Sequence, residues 1–340
     1  MILNDFRSLL ARQPALPAPM CGISDFPWRE LCRRMGARVT YTQMVSAEAL
    51  WRGDAKTLEI LDLAPGETHV AMQLFGGEPE ALAHACRVLQ DHGALLIDLN
   101  MGCPARKITC SHAGSALLND LPRVARIFRA MRQATRVPLT AKMRWDWADG
   151  LTPADALNDK QRAGAALAVA RLAEAEGLDG VCLHARTREQ GYSGVANWEL
   201  IARLKEAVAI PVVGNGDIRE PADALQMRAH SGCDGVMIGR ALIGDPWLLG
   251  DILAALEAGH AAPRRAPDWP TRRALMLEHA ALMFERRGPR GLVQFRKHAA
   301  AYLRGLRGAK LLRTELMQAA TLEELSALLD RELEPAADAA

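Results

Sequence analysis

Along the first 250 or so residues, short apolar runs alternate with longer stretches in which apolar side chains return every third or fourth position. The runs are too short for helices and are closed by Gly, Pro, Asn or charged residues. They predict buried strands at Leu16–Met20, Val39–Gln43, Val70–Phe75, Leu95–Leu99, Leu139–Met143, Gly180–His184, Val212–Asn215 and Gly235–Ile238. The stretches between them predict amphipathic helices, among them Glu78–Asp91, Pro122–Ala134, Ala163–Ala175 and Asn197–Ala207. Eight strand–helix units in succession predict a (β/α)8 TIM barrel, and polar residues at most strand ends favour it over a doubly wound sheet.

The rhythm breaks twice. Trp145–Gln161, rich in Asp, Gly, Thr and Pro, predicts an extended loop over the barrel mouth. After Ala258 the strand pattern stops. Gly259–Pro270, rich in Ala, Pro and Arg, predicts a linker, and only helical patterns follow until the frayed end at Glu334–Ala340. The expected division is a barrel domain over residues 1–258 and a small helical domain over residues 262–340.

Composition narrows the class. With 49% apolar and 24% charged residues the chain is globular, not disordered. No apolar run reaches the roughly 18 residues that span a bilayer, and no secretory signal is read at Met-Ile-Leu-Asn-Asp-Phe-Arg, so a cytoplasmic protein is expected; a monomer is the expectation for its assembly, which no feature of the sequence fixes. The seven cysteines (21, 32, 86, 103, 110, 182, 233) form no Cys-x-x-Cys pair and no His/Cys cluster at zinc spacing, which predicts reduced thiols and no metal. The net charge of +2 hides an asymmetry. Between Arg264 and Arg313 lie thirteen of the 42 basic residues but only three of the 40 acidic ones, Asp268, Glu278 and Glu285. A basic segment on an otherwise acidic protein suits a polyanionic partner better than a merely solvated face.

Active sites of such barrels lie at the C-terminal strand ends, and the polar residues gather there. The seventh strand ends in Gly214-Asn215-Gly216-Asp217 and the eighth in Gly239-Arg240, the two usual phosphate-binding places. Arg219 stands where a dinucleotide fingerprint would need a third glycine, so a mononucleotide such as FMN fits better. Lys142 would hold the electron-rich edge of a reduced flavin, Gln73 would hydrogen-bond its ring, and His184 would contact cofactor or base. Cys103, in the loop Asn100-Met101-Gly102-Cys103-Pro104, suits an acid donor or a nucleophile. Thiols keep their proton at neutral pH, as a donor must. Arg106 and Lys107 beside it would either favour the thiolate or bind substrate phosphate. The other six cysteines read as small buried hydrophobes.

These residues resemble the tRNA-dihydrouridine synthases from about residue 15 to about residue 310. The resemblance rests on Ala18-Pro19-Met20, Gln73-Leu74-Phe75-Gly76, Asn100 to Pro104, Ala113 to Leu118, Lys142-Met143-Arg144, His184 to Arg188, Gly214 to Asp217 and Gly239-Arg240. It implies an FMN-bearing barrel reduced by NADPH and a helical domain that binds tRNA. It implies FMN contacts at Pro19, Met20, Cys21, Gln73, Lys142, His184, Asn215, Gly216, Asp217, Gly239 and Arg240, Cys103 as general acid, and Asn100 and Arg186 as partners of the target uracil. His112, preceded by Cys110, departs from the family, which more often has glycine there. On one helix from Phe295 to Lys310, Arg296, Lys297, Arg304, Arg307 and Lys310 would form an outward basic stripe for tRNA phosphates. A flavin oxidoreductase of a small pyrimidine or enone is the main rival, and a non-catalytic RNA-binding protein on a decayed barrel the second.

Overall fold

The computed structural model describes residues 5–146, 164–264, 266–331 and 333. It contains the strands β1 (Ala15–Pro17), β2 (Thr40–Tyr41), β3 (Val45–Ser46), β4 (Val70–Phe75), β5 (Leu96–Met101), β6 (Leu139–Arg144), β7 (Gly180–His184), β8 (Val212–Asn215) and β9 (Gly235–Ile238). All pairings are parallel, in the order β1-β9-β8-β7-β6-β5-β4-β2. β3 pairs with Leu74 and Phe75 where β2 pairs with Val70 and Ala71, so β3 continues the same edge of β4. The expected second strand is thus shorter than predicted, and β3 is an addition. Thr42 ends it by turning its hydroxyl onto the Gln43 carbonyl.

Eight staves make a nearly closed barrel. The seam between β1 and β2 is stapled by Gln13, 1% exposed, whose amide donates to the Ala15 and Val39 carbonyls and accepts from the Arg38 and Val39 N–H groups. Inside, Tyr41, Ala71, Leu96, Val213 and Met237 fill the lumen, and the helix Phe6–Arg12 plugs its N-terminal end with Phe6, Leu9 and Leu10. Gly180 and Gly235, which open β7 and β9, leave room for that plug. A Cβ on Gly180 would stand 2.5 Å from the Phe6 ring and one on Gly235 2.9 Å from Leu10. The outer strand faces meet the surrounding helices in the main core. Parallel strands covered on both sides read as continuous apolar runs, which is why the sequence betrays them.

The helices Trp269–Arg287, Pro289–Tyr302, Ala309–Leu316 and Leu322–Leu329 share a second core built on Met276, Phe295, Tyr302 and Leu312, which also takes in Leu31 from the barrel helix Phe26–Arg34. The connection is shorter than the expected linker. Asp268 accepts from the Thr271 N–H and starts the helix at Trp269, with Pro270 in its first turn, a place proline tolerates. The loop after β9 lies hard against this unit, since a Cβ on Gly244 (φ +84°) would come within 2.4 Å of the Ala301 backbone.

Two expectations about the basic segment need correction. The single helix from Phe295 to Lys310 does not exist. It stops at Tyr302, the chain turns through Gly305 (φ +72°) and Gly308 (φ +79°), and a new helix starts at Ala309. Much of the charge excess is also answered within the molecule. Arg286 and Arg287 reach Asp62, Arg264 bridges Asp245 and Asp251, Arg273 pairs with Asp330, and Arg272 donates to backbone carbonyls. Carboxylates distant in sequence are adjacent in space. The predicted mouth loop begins at Trp145 and Asp146, and residues 147–161 of it lie outside the described residues. Among the described residues no helix is long and apolar enough to cross a membrane.

Candidate active site

Two adjoining cavities open at the C-terminal ends of the strands, of about 730 Å³ and about 340 Å³. Pro19, Met20, Lys142, His184 and Arg240 line both, so they form one cleft. Asn215, Gly216, Asp217, Gly239 and Arg186 line only the larger part, whereas Cys21, Gln73, Asn100 and Cys103 line only the smaller. The two residues expected to meet the substrate base, Asn100 and Arg186, therefore stand in different parts of the cleft.

The smaller part is built on a buried relay of hydrogen bonds. Asp98, in the middle of β5, accepts from the Thr140 hydroxyl (2.7 Å) and from the Gln73 amide (2.7 Å). Burial pushes the Asp98 carboxyl up to about 6, against those two hydrogen bonds and the charge of Lys142. The Gln73 oxygen in turn accepts from the Asn100 amide (3.0 Å), and the Asn100 oxygen accepts from the backbone N–H groups of Gly102 (3.2 Å) and Cys103 (2.9 Å). The Cys103 carbonyl is held from the other side by the Ser115 N–H and hydroxyl. Gly114 (φ +60°) permits this approach, because a Cβ there would lie 2.8 Å from the Cys103 oxygen. The half-exposed thiol thus sits on a loop fixed at both ends.

The larger part carries the cations. Lys142 donates to the Asn215 oxygen (2.9 Å), while the Asn215 amide donates to the Met237 carbonyl (2.7 Å) and so fixes that orientation. Burial lowers the Lys142 ammonium from its ordinary value. Arg186 is buried, pairs with Asp217 (2.7 Å) and donates to the Ser193 and Gly194 carbonyls, yet its Nη1 has no partner. Asp217 also accepts from the Ala196 N–H. Gly216 (φ +134°) could not be replaced, since a Cβ would meet Ala196 at 2.6 Å. Burial, then the cations Lys142, Arg144, Arg186 and Arg240, push His184 down to about 2, so its ring is neutral. Arg240, the glycine cradle at Gly216 and a buried lysine are the donors that a flavin phosphate and an electron-rich ring edge require. The residues present fit that group.

Several residues gained roles that the sequence did not assign. Asp98 organises the relay, and a lone carboxylate amid the apolar run of a buried strand was the available signal. Tyr192, 61% exposed, overhangs both cavities with its ring centre 4.1 Å from the Arg240 guanidinium. Arg144 donates to the Gly102, Thr187 and Gly191 carbonyls and so ties the cysteine loop to the loop after β7. Two cysteines depart from the expected burial: Cys21 and Cys110 are exposed, while Cys32, Cys86, Cys182 and Cys233 are buried. Cys110 and His112 (φ +54°) share the turn against which Gly77 packs.

The five basic residues expected on one stripe are dispersed. Arg296 is half-buried and its Nη2 faces the Ala319 carbonyl at 3.4 Å. Lys297 leans toward the barrel mouth, its Nζ 3.5 Å from where a Gly22 Cβ would stand. Arg304 lines the larger cavity, and Arg307 and Lys310 are exposed and outside its lining.

Comparison with known proteins is consistent along the chain. The family model for dihydrouridine synthases matches residues 16–339. The chain is 40% identical to tRNA-dihydrouridine synthase B of Xanthomonas axonopodis pv. citri over 84% of its length and 82% of that protein. It is 38% identical to tRNA-dihydrouridine synthase B of Pseudomonas aeruginosa (88% and 86%) and 35% identical to a probable tRNA-dihydrouridine synthase 1 of Synechocystis (97% and 89%).

Proposed function

This chain belongs to the dihydrouridine synthase family of flavin-dependent oxidoreductases, and from that membership we propose that it reduces the C5=C6 bond of uridines in tRNA, with FMN bound and NADPH as reductant. The observation that carries the reading is the cleft itself: a thiol on a doubly anchored loop shares one opening with Lys142, His184 and Arg240. When bound, the flavin supplies the hydride that adds to C6 of the uracil. Cys103 gives its proton to C5, and solvent reprotonates it.

The remaining residues bind and orient. Gly216, Gly239 and Arg240 would hold the FMN phosphate, while Asp217 keeps Arg186 in place. Lys142, aimed by Asn215, would hold the ring edge where negative charge accumulates. Pro19, Met20, Cys21, Gln73 and His184 line the wall for the ring. Asn100 positions the cysteine loop through its oxygen, and with Arg186 it meets the base. The target nucleotide must leave the tRNA stack to enter, at a cost of a few kcal/mol. Basic residues of the helical domain, which begins at about residue 262, offset that cost on the phosphates. The reading places the enzyme in the cytoplasm as a monomer.

The test is dihydrouridine formation by the FMN-loaded protein with NADPH on unmodified tRNA, beside free uridine and uracil, read as the gain of two hydrogens by mass spectrometry. The product should appear in tRNA alone. Equal turnover of the free pyrimidines would make this a small-molecule oxidoreductase, and no product from any of them would leave only RNA binding.

A further inference from the structure

Away from the cleft, three side chains that no step above uses meet where the barrel joins the helical unit. Asp25 caps the barrel helix Phe26–Arg34, His279 belongs to Trp269–Arg287 and His298 to Pro289–Tyr302. They are 1%, 0% and 0% exposed. One carboxylate oxygen and one ring nitrogen from each histidine lie within 4.8 Å of one another. The cluster is not a closed hydrogen-bond network. His279 Nδ1 lies 3.2 Å from the Tyr302 hydroxyl, but its Nε2 has no partner, and neither ring nitrogen of His298 has one. A neutral imidazole carries one donor and one acceptor. Leaving such groups unmet in a dry interior is costly, so a bare nitrogen from each histidine beside a carboxylate calls for an occupant.

The chemistry of the donors selects it. Burial pushes His279 down to about 3 and His298 well below its ordinary value, so both rings offer lone pairs rather than charge. Asp25 accepts the Trp28 N–H on one oxygen and has the other to give. Burial raises Asp25 to about 6, opposed by Lys297, the Trp28 N–H and Arg287, which favour its ionised form. Two imidazoles and one carboxylate are a set for zinc or a neighbouring transition metal, not for magnesium or calcium, which take oxygen. Three protein ligands leave the fourth tetrahedral position of zinc to a water molecule.

We propose that Asp25, His279 and His298 bind one Zn²⁺ that clamps the helical unit to the barrel. Zinc would hold them by bonds of about 2.0–2.2 Å. With zinc on Nε2, His279 Nδ1 would carry the hydrogen and donate it to the Tyr302 hydroxyl 3.2 Å away, the usual orienting contact behind a metal-bound histidine. Trp28, whose ring lies 6.0 Å from that of His298 at an interplanar angle of 24°, walls the site. The ligands come from three helices, with Asp25 far from the histidines in sequence, so no local spacing announced the site and the sequence predicted no metal.

Full-length protein, made without a histidine tag and purified without chelators, should carry about one zinc per chain by elemental analysis. Asp25→Asn and His298→Gln should lower this to background. Stripping zinc from the wild type should reduce Tm by several degrees, and Zn²⁺ should restore it, while both variants should be indifferent to zinc. Wild-type protein that takes up no zinc on dialysis and shows no Tm change would overturn the proposal, as would zinc content unchanged in the variants. Where the variants fail to fold, Co²⁺ exchanged into the wild type decides. Visible bands without a thiolate charge-transfer band support the proposed set, and such a band, or no uptake, defeats it by assigning the metal to cysteine or to nothing.

Discussion

Cys103 is placed by its neighbours rather than by its own packing. Its N–H is held by Asn100, its carbonyl by Ser115, Asn100 by Gln73 and Gln73 by Asp98, so the thiol is presented from a fixed backbone. If it is the acid, Cys103→Ala should leave flavin reduction by NADPH intact, because hydride entry does not involve the thiol. Uridine reduction in tRNA should fall by about 10²–10⁴-fold, the ordinary yield of a general acid. Stopped-flow flavin reduction beside dihydrouridine analysis reads both, and wild-type turnover in the variant removes the role. The cleft cysteine could be picked out in the sequence because its loop follows a strand and holds only small and polar neighbours. Asp98 had no assigned role, since what it does depends on Thr140 and Gln73 arriving from the two neighbouring strands. The inverse holds for Arg186. Its type and position at a strand end were visible, but its pairing with Asp217 and its place away from Cys103 follow from the curvature of the barrel.

At the scale of elements, β4, β7, β8 and β9 were legible to the residue, because each is an apolar run covered on both sides and punctuated by Gly or a charge. The stapled seam and β3 were not, since a two-residue strand has no period to read. How the helix Phe26–Arg34 is fixed was equally hidden. Arg29 and Glu67 are both buried and bonded at 2.8 and 2.7 Å, and Arg29 also caps the carbonyls of Ser24, Leu61 and Asp62. Burial alone would raise the Glu67 carboxyl, but Arg29 and Arg33 hold it below its ordinary value. A pair this complete adds little over an apolar equivalent, yet removing one member strands the other charge. Arg29→Ala should therefore destabilise the fold by about 3–5 kcal/mol, read as a shift of the urea midpoint at unchanged slope. A change below about 1 kcal/mol, the range of surface pairs, would mean that water reaches Glu67 in the folded protein.

The molecule as a whole is a barrel with a basic helical unit leaning over one side of its mouth, and the charges sort by what they face. Arg264, Arg273, Arg286 and Arg287 are spent on carboxylates, whereas Arg304 opens onto the larger cavity and Arg307, three residues on, is exposed outside its lining. Counting charges along the sequence could not separate these groups. The glycine turn after Tyr302, which broke the expected helix, is also what carries Arg304 to the cleft. A nucleotide turned out into the cavity would keep its flanking phosphates near this turn. Replacing Arg304 and Arg307 together by glutamate should then raise the KM for tRNA strongly, with kcat less affected. Each lost phosphate contact lowers the slope of log affinity against log salt by roughly one unit, so the double variant should lose about two. Arg307→Glu alone should lose about one and keep full flavin content, since it lies outside the cavity lining. Arg296→Glu is the internal contrast. Its guanidinium is half-buried beside the Ala319 carbonyl, so its cost should fall on Tm rather than on the salt slope. A double variant with unaltered tRNA affinity and salt dependence would move the RNA path away from the turn after Tyr302.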